Sequence, residues 1–207
     1  MNTVIFILVA YLIGSISFAV LTSKVFGLPD PRTFGSKNPG ATNVLRTGKK
    51  LAAAVTLLGD GAKGWLAVFL ALRLAPVYGL DETVVAASAI AVFFGHVYPV
   101  FFSFHGGKGV ATVLGILLAL NPWLGLAALA TWLLATYMWR ISSLSALIAA
   151  VFTPFYGWLW LKSGVLVVAV AAVSLLLIWR HKSNIQNLLS GKERAVGKTQ
   201  PGDMPPQ

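Results

Sequence analysis

"TVIFILVAYLIGSISFAVLTSK", Thr3 to Lys24, carries no charge until its last residue. A hydrocarbon core about 30 Å thick is crossed by roughly 20 helical residues, which is close to the length of this stretch. It lacks a basic start, so it reads as a retained membrane helix and not as a cleaved signal peptide. Beyond this first run, residues 3–23, further apolar runs fall near 51–73, 83–102, 109–121, 123–139, 144–161 and 164–180. The fourth is short and is expected to tilt, or to bend where Asn121 and Pro122 interrupt the pattern. With 57% of its 207 residues hydrophobic and 11% charged, the chain reads as an all-α integral membrane protein of seven transmembrane helices.

The cations set the expected orientation. Thirteen of the 16 Lys and Arg follow runs one, three, five and seven: those from Lys24 to Lys50, Lys108, Arg140, and those from Arg180 onward. The connections after runs two, four and six hold only Lys162. By the positive-inside tendency the amino terminus is outside and the carboxyl terminus is cytoplasmic. The net charge of +10 then belongs to one face, where it attracts anionic headgroups and anionic solutes. Residues 1–190 form the expected membrane domain. The segment 191–207, which ends in "GKTQPGDMPPQ", reads as a disordered cytoplasmic tail. The chain has no cysteine, which excludes disulfides and thiol chemistry.

Topology does not explain what accompanies these cations. In "FGSKNPGATNVLRTGKK", Phe34 to Lys50, the residues Gly35, Ser36, Asn38, Gly40, Thr42 and Asn43 offer approachable backbone N–H groups, hydroxyls and amides, and Arg46 stands one helical turn beyond Asn43. Such a set can wrap a phosphate. The ordinary alternative is a loop whose Asn and Ser cap a helix. In "GHVYPVFFSFHGGKGVAT", Gly95 to Thr112, the residues Gly106, Gly107, Lys108 and Gly109 open the fourth run. That placement combines free N–H groups, the positive end of the helix dipole and a mobile ammonium. No Gly-x-x-x-x-Gly-Lys-Ser/Thr occurs, so nucleotide hydrolysis loses support.

Two further corners lie on the same expected face. "RISSLSA" puts Ser142, Ser143 and Ser145 at the start of run six, where capping is the ordinary explanation. "RHKSNIQ" puts His181 and Asn184 three apart at the exit of run seven. Asp60 and Lys63, also three apart, are expected to pair inside run two, and His96 to be a hydrogen-bonded structural residue. Neither a metal-ligand cluster nor a motif-flanked serine triad can be assembled from the three His and six carboxylates.

"GSKNPGATNVLRTGKK", "GHVYPVFFSFHGGKGVAT", "ISSLSA" and "RHKSNIQ" resemble, in order and spacing, the cytoplasmic motifs of the bacterial acyl-phosphate:glycerol-3-phosphate acyltransferases. The resemblance spans roughly residues 3–190. It implies transfer of a fatty acyl group from acyl phosphate to the 1-hydroxyl of glycerol 3-phosphate, giving lysophosphatidic acid and inorganic phosphate, at the bacterial inner membrane. It further implies a site in which Ser36, Arg46, Lys108, His181 and Asn184 are catalytic. Gly35, Asn38, Gly40, Thr42, Asn43, Gly106, Gly107, Gly109, Ser142 and Ser143 would bind substrate, and the acyl chain would lie in a groove open to lipid. The implied partners are acyl phosphate, glycerol 3-phosphate and membrane lipid, with no cofactor, metal or nucleic acid; protein partners are not readable. Three residues depart from the family pattern: Lys37 and Ser145 replace a usual Gly, and His105 a frequent Lys. Thioester-using acyltransferases commonly carry His-x-x-x-x-Asp, whereas the residues five beyond His96, His105 and His181 are Phe101, Val110 and Gln186. A transporter for a phosphorylated anion, or a lipid-binding scaffold, would use similar basic loops.

Overall fold

The computed structural model describes residues 2–196. Among them it contains ten α-helices and no strand: α1 Asn2–Gly14, α2 Phe18–Val25, α3 Ala41–Leu45, α4 Lys50–Leu74, α5 Glu82–Val97, α6 Val110–Leu120, α7 Pro122–Trp139, α8 Ser142–Trp160, α9 Gly164–Arg180 and α10 Lys182–Leu189. Two short 3-10 turns, Pro76–Tyr78 and Val100–Phe102, follow α4 and α5.

The first run, expected as one helix, is broken at Ser15–Ser17 into α1 and α2. In hydrocarbon a carbonyl freed by such a break needs a partner from the protein itself. Ile16 O finds it in Lys63 Nζ of α4, at 2.6 Å. The interruption expected at Asn121–Pro122 is present. Asn121 Oδ1 accepts from the amides of Trp123 and Leu124 at 2.9 and 3.3 Å, while Pro122, having no N–H to lose, starts α7. α9 and α10 meet at a bend of 57°.

Four spans are long and apolar enough to cross a membrane: Asn2–Val25, Lys50–Tyr78, Glu82–Phe102 and Ser142–Trp160. The bent pair α9 and α10 makes a fifth if taken together, and α6 is shorter. The count of spans established in this way among the described residues is four to five.

Packing is closest between α4 and α6, α1 and α5, and α7 and α8. Lipid tails are as apolar as the helix surfaces, so helices in a membrane associate through close van der Waals fit, favouring small residues at contacts. A Cβ added at Gly64 would collide with Thr112 O, and one at Gly115 with Gly61 O. The same holds for Gly14 against Val92 O and Gly95 against Tyr11 O. The centre of the bundle is filled by Val68, Val92, Phe93, Ile116 and Leu124, all buried, while Leu58, Trp158 and Val168 are exposed on the outer surface.

These contacts collect the polar segments at one end of the bundle. Thr42 meets Ser142, Lys108 meets Asn184, and Val196 N donates to Arg140 O. The other end carries the α4–α5 and α6–α7 connections, where Asn121 reaches Trp160 O. Two apolar grooves flank α1, one of about 410 Å³ against α5 and one of about 240 Å³ against α4. Neither is lined by a residue of the four polar segments.

Replacing Gly64 by Val should destabilise the fold by about 1–3 kcal/mol or more, the usual cost of overpacking. Gly157→Ala should leave stability unchanged, because the nearest atoms to an added Cβ are 3.4 Å away. Thermal unfolding in detergent, with both variants beside the parent, checks this pair of outcomes.

Candidate active site

The first polar segment is held in shape by Asn43. Its side chain is 2% exposed, donates through Nδ2 to Pro31 O (2.7 Å) and Phe34 O (3.2 Å), and accepts at Oδ1 from Ser36 N (3.0 Å). All three bonds run to the backbone of residues 31–36, so Asn43 shapes the loop. Neither Asn43 nor any other side chain caps α3, whose N-cap is Gly40. Gly35 has φ 56°, and a Cβ there would collide with Asn43 Oδ1 and press on the Arg46 guanidinium at 3.2 Å. Arg46 therefore lies directly against Gly35. Lys37 has φ 54°, in the left-handed region that costs a side chain roughly 1–2 kcal/mol. That is a physical reason for the Gly usual at its position. Asn38 and Thr42 line the same loop, the Thr42 hydroxyl 3.5 Å from that of Ser142.

A paired salt bridge ties this segment to the next. Arg32 Nη2 lies 2.6 Å from Asp30 Oδ2, its Nη1 donates to Phe102 O at 3.3 Å, and the guanidinium stands 5.8 Å from the Phe102 ring centroid. Hydrogen bonding from Arg32 holds the Asp30 carboxyl below the usual carboxylate range.

The second segment turns sharply before α6. Ser103 and Phe104 have φ 54° and 60°, and Gly109, the N-cap of α6, has φ 88°. Phe104 in that region is a strained residue, exposed at its side chain and tied by its N–H to Pro99 O at 2.9 Å. Gly107 N donates to His96 O at 3.1 Å, and a Cβ on Gly107 would collide with His96 Nε2 and approach Pro39 O at 2.9 Å. A Cβ on Gly106 would collide with His96 O. Arg180 Nη2 donates to Gly107 O at 3.2 Å and reaches Gly106 O at 3.5 Å. Lys108 follows, with Nζ donating to Asn184 Oδ1 at 2.5 Å. No side chain caps α6, so its first N–H groups stay available to an anion. His105 is exposed, its Nδ1 donating to Ser103 O.

The serines at the head of α8 do not cap it, since its N-cap is Ile141. Ser142 faces Thr42, and Ser143 Oγ donates to Glu193 Oε1 at 2.6 Å. Ser145 is buried elsewhere, donating to Ile141 O and accepting from Thr136. His181 is 2% exposed at the α9–α10 bend, and its Nδ1 donates to Leu177 O at 2.8 Å. A carbonyl can only accept, so in the neutral ring Nε2 carries the lone pair. Asn184 is also buried, and its Nδ2 donates to Glu193 Oε1 at 2.7 Å.

Two participants escaped the sequence reading. By sequence Arg180 is one of the topology-setting cations, and Glu193 belongs to the tail. Gly191 to Val196 instead fold back, so that Glu193 reaches Ser143 and Asn184 and Val196 N bonds Arg140 O. Residues 197–207, the rest of the expected tail, lie outside the described residues. The spacing of Arg180 beside His181 was a usable signal; nothing local marked Glu193.

Electrostatically, the site is cationic. Burial is the largest influence on Lys108 and pushes its pKa below the ordinary lysine value. The Glu193 carboxylate opposes this, and the Arg180 and Arg46 guanidiniums add to it. Cations drawn from three segments thus act on one another in a partly buried space, an arrangement that a bound dianion would relieve. Around them stand hydroxyls of Thr42 and Ser142, the Asn184 amide and the open start of α6.

Comparison with known proteins follows the same residues. A family model described as "Glycerol-3-phosphate acyltransferase" matches residues 4–191. A glycerol-3-phosphate acyltransferase of Janthinobacterium sp. (strain Marseille) is 64% identical over 197 residues, covering 95% of this chain and 98% of that one. The crystal structure of PlsY (YgiH), an integral membrane glycerol 3-phosphate acyltransferase, superposes in its glycerol 3-phosphate form with a TM-score of 0.88 at 34% identity, covering 95% of this chain and 96% of that chain. Its lysophosphatidic acid form gives 0.86 at 32% identity, covering 94% and 95%. With a family match over residues 4–191, a close relative and a shared fold, the chain belongs to the glycerol-3-phosphate acyltransferase family.

Proposed function

We propose that this protein transfers a fatty acyl group from acyl phosphate to the 1-hydroxyl of glycerol 3-phosphate, releasing lysophosphatidic acid and inorganic phosphate. The similar PlsY has glycerol 3-phosphate and lysophosphatidic acid forms, which name an acceptor and a product of the reaction. The observation that carries the donor is the convergence of Arg46, Lys108 and Arg180 with neutral donors at one end of the bundle. Both proposed reactants bring a phosphate to such a place.

The chemistry asks for little beyond placement and charge neutralisation. An acyl phosphate is a mixed anhydride with a good leaving group. The glycerol hydroxyl oxygen bonds to the acyl carbon, the bond from that carbon to the phosphate oxygen breaks, and the departing phosphate takes the hydroxyl proton. Holding the two reactants in contact supplies much of the barrier reduction, and fixed cations supply the rest. No protein nucleophile is needed, in keeping with a chain that has no cysteine. In this reading Arg46 and Lys108 grip phosphate, Ser36 and the Gly106 and Gly109 amides line it, Ser142, His181 and Asn184 complete the walls of the site, and Gly107, its N–H spent on His96 O, holds the loop. Gly35, Gly40 and Asn43 hold the first segment in shape. The acyl chain runs out between helices into lipid.

The cation asymmetry supports seven crossings in the bacterial inner membrane, with the amino terminus outside and the site facing the cytoplasm. α6 and α7 then count as crossings although α6 has only 11 residues. Residues 1–190 form the membrane domain, and the segment beyond it is cytoplasmic.

Purified protein given glycerol 3-phosphate should make lysophosphatidic acid from palmitoyl phosphate and not from palmitoyl coenzyme A. A thioester lacks the adjoining phosphate that the basic loops grip and that accepts the proton. Comparable turnover with the thioester would overturn the donor assignment, and turnover with neither would favour an anion carrier. Arg46→Ala and Lys108→Ala should each lower kcat/KM at least about tenfold, equivalent to about 1.4 kcal/mol. Arg46→Lys should recover little of it, because an ammonium does not reproduce the guanidinium's two-pronged contact. Steady-state kinetics on folded variants measures all three.

A further inference from the structure

We propose that Asp60, Lys63 and His96 form a positioning device beneath the Gly106 to Gly109 loop, in which the His96 ring is the strut that sets where Lys108 stands. The proposal rests on that loop being part of the substrate site. Ionisable groups inside a membrane bundle are costly and are retained where they do something. These three are buried, and the acyl transfer above uses none of them.

Their contacts describe a connected frame. Lys63 Nζ lies 2.9 Å from Asp60 Oδ1 and also donates to Ile16 O, which fixes the α1–α2 break. Asp60 O accepts from Thr112 Oγ1 at 3.0 Å, on the first turn of α6 just beyond Gly109. Asp60 Oδ1 faces His96 Nδ1 at 3.6 Å, one edge of the ring. The other edge, Nε2, lies against Gly107, and His96 O takes the Gly107 N–H. The ring is therefore wedged between a fixed carboxylate and the loop. On its far sides the loop meets Pro39 O of the first segment and Arg180 Nη2. With those sides occupied, the thickness of the ring decides how deep Gly107 sits, and Lys108 is the next residue. Misplacing a reacting group by about 1 Å costs up to roughly 100-fold in rate.

A strut and a merely structural core residue differ in one respect: the strut couples sterically to Gly107. Gly107→Ala puts a methyl where Nε2 stands, so it should lower kcat/KM strongly. His96→Ala should lower it at least about tenfold in protein that still elutes as a folded species in detergent. The double variant should be more active than Gly107→Ala alone and less active than His96→Ala, because the new methyl gains the space the ring vacated while still pressing on Pro39 O at 2.9 Å. His96→Gln, which keeps most of the reach, should retain most of the turnover. If His96→Ala does not fold, the shorter polar His96→Asn replaces it in both measurements. Parental turnover in folded His96→Ala, or a double variant no better than Gly107→Ala, would overturn the strut. Failure of every shortened variant to fold would likewise overturn it, by assigning the cluster to stability alone. Lys108→Ala is the control: parental activity there would sink the site reading itself, whereas an inactive Lys108→Ala beside an unaffected His96→Ala would sink only the strut.

Discussion

Gly107 is the point at which the rest of the site is fixed. Its N–H is taken by His96 O, its carbonyl by Arg180, and its Cα lies where a side chain would strike His96 on one side and Pro39 O on the other. A residue without a Cβ is required there, not for an unusual φ but for the closeness of the His96 ring and the Pro39 carbonyl. Because α5, the first polar segment and α9 all touch this one residue, the position of Lys108 beside it is determined by helices far apart in sequence.

The bilayer explains why such a site stands at a helix end. In hydrocarbon, backbone groups must be satisfied within the protein, so the apolar runs are helical and the irregular backbone is confined to the ends or supplied with partners. The break at Ser15–Ser17 is an exception that carries its own compensation, the Lys63 ammonium on Ile16 O. Glycine contacts such as Gly64 on Thr112 and Gly115 on Gly61 draw α4 and α6 close, and α6 begins at the Gly-Gly-Lys-Gly loop. Helix packing and site geometry are thus one construction. The cationic character of this end comes from bringing the Lys108 ammonium near the Arg46 and Arg180 guanidiniums, with hydroxyls, amides and the one Glu193 carboxylate around them.

Much of this was readable from residue order. Helical runs and their interruption at Asn121–Pro122 follow from hydropathy and capping chemistry, and the expected pairing of Asp60 with Lys63 follows from helical spacing. The four polar segments were visible because glycine, hydroxyls, amides and cations concentrate in them. What the order of residues does not encode is which side chain turns inward. Asn43 looks like a ligand and spends its bonds on its own loop, whereas the Ser142 and Ser143 hydroxyls, for which capping is the ordinary explanation and substrate binding the one that the resemblance implies, face Thr42 and Glu193. The break within the first run leaves no mark in hydropathy, since Ser15, Ile16 and Ser17 sit comfortably in an apolar helix. Glu193 was missed because its role depends on the chain reversing after α10, a long-range contact with no local signature.

The central claim is that segments distant in sequence close on a single phosphate-binding site. Calorimetric titration of glycerol 3-phosphate into the purified protein in detergent tests it most directly, using one substitution per segment: Arg46→Ala, Lys108→Ala, Ser142→Ala and Asn184→Ala. Each variant, shown to be folded, should bind glycerol 3-phosphate more weakly than the parent, with the two cation losses costing most. Parental affinity in the folded Lys108→Ala or Asn184→Ala protein would contradict the account, because those side chains bond each other at the point where the segments meet.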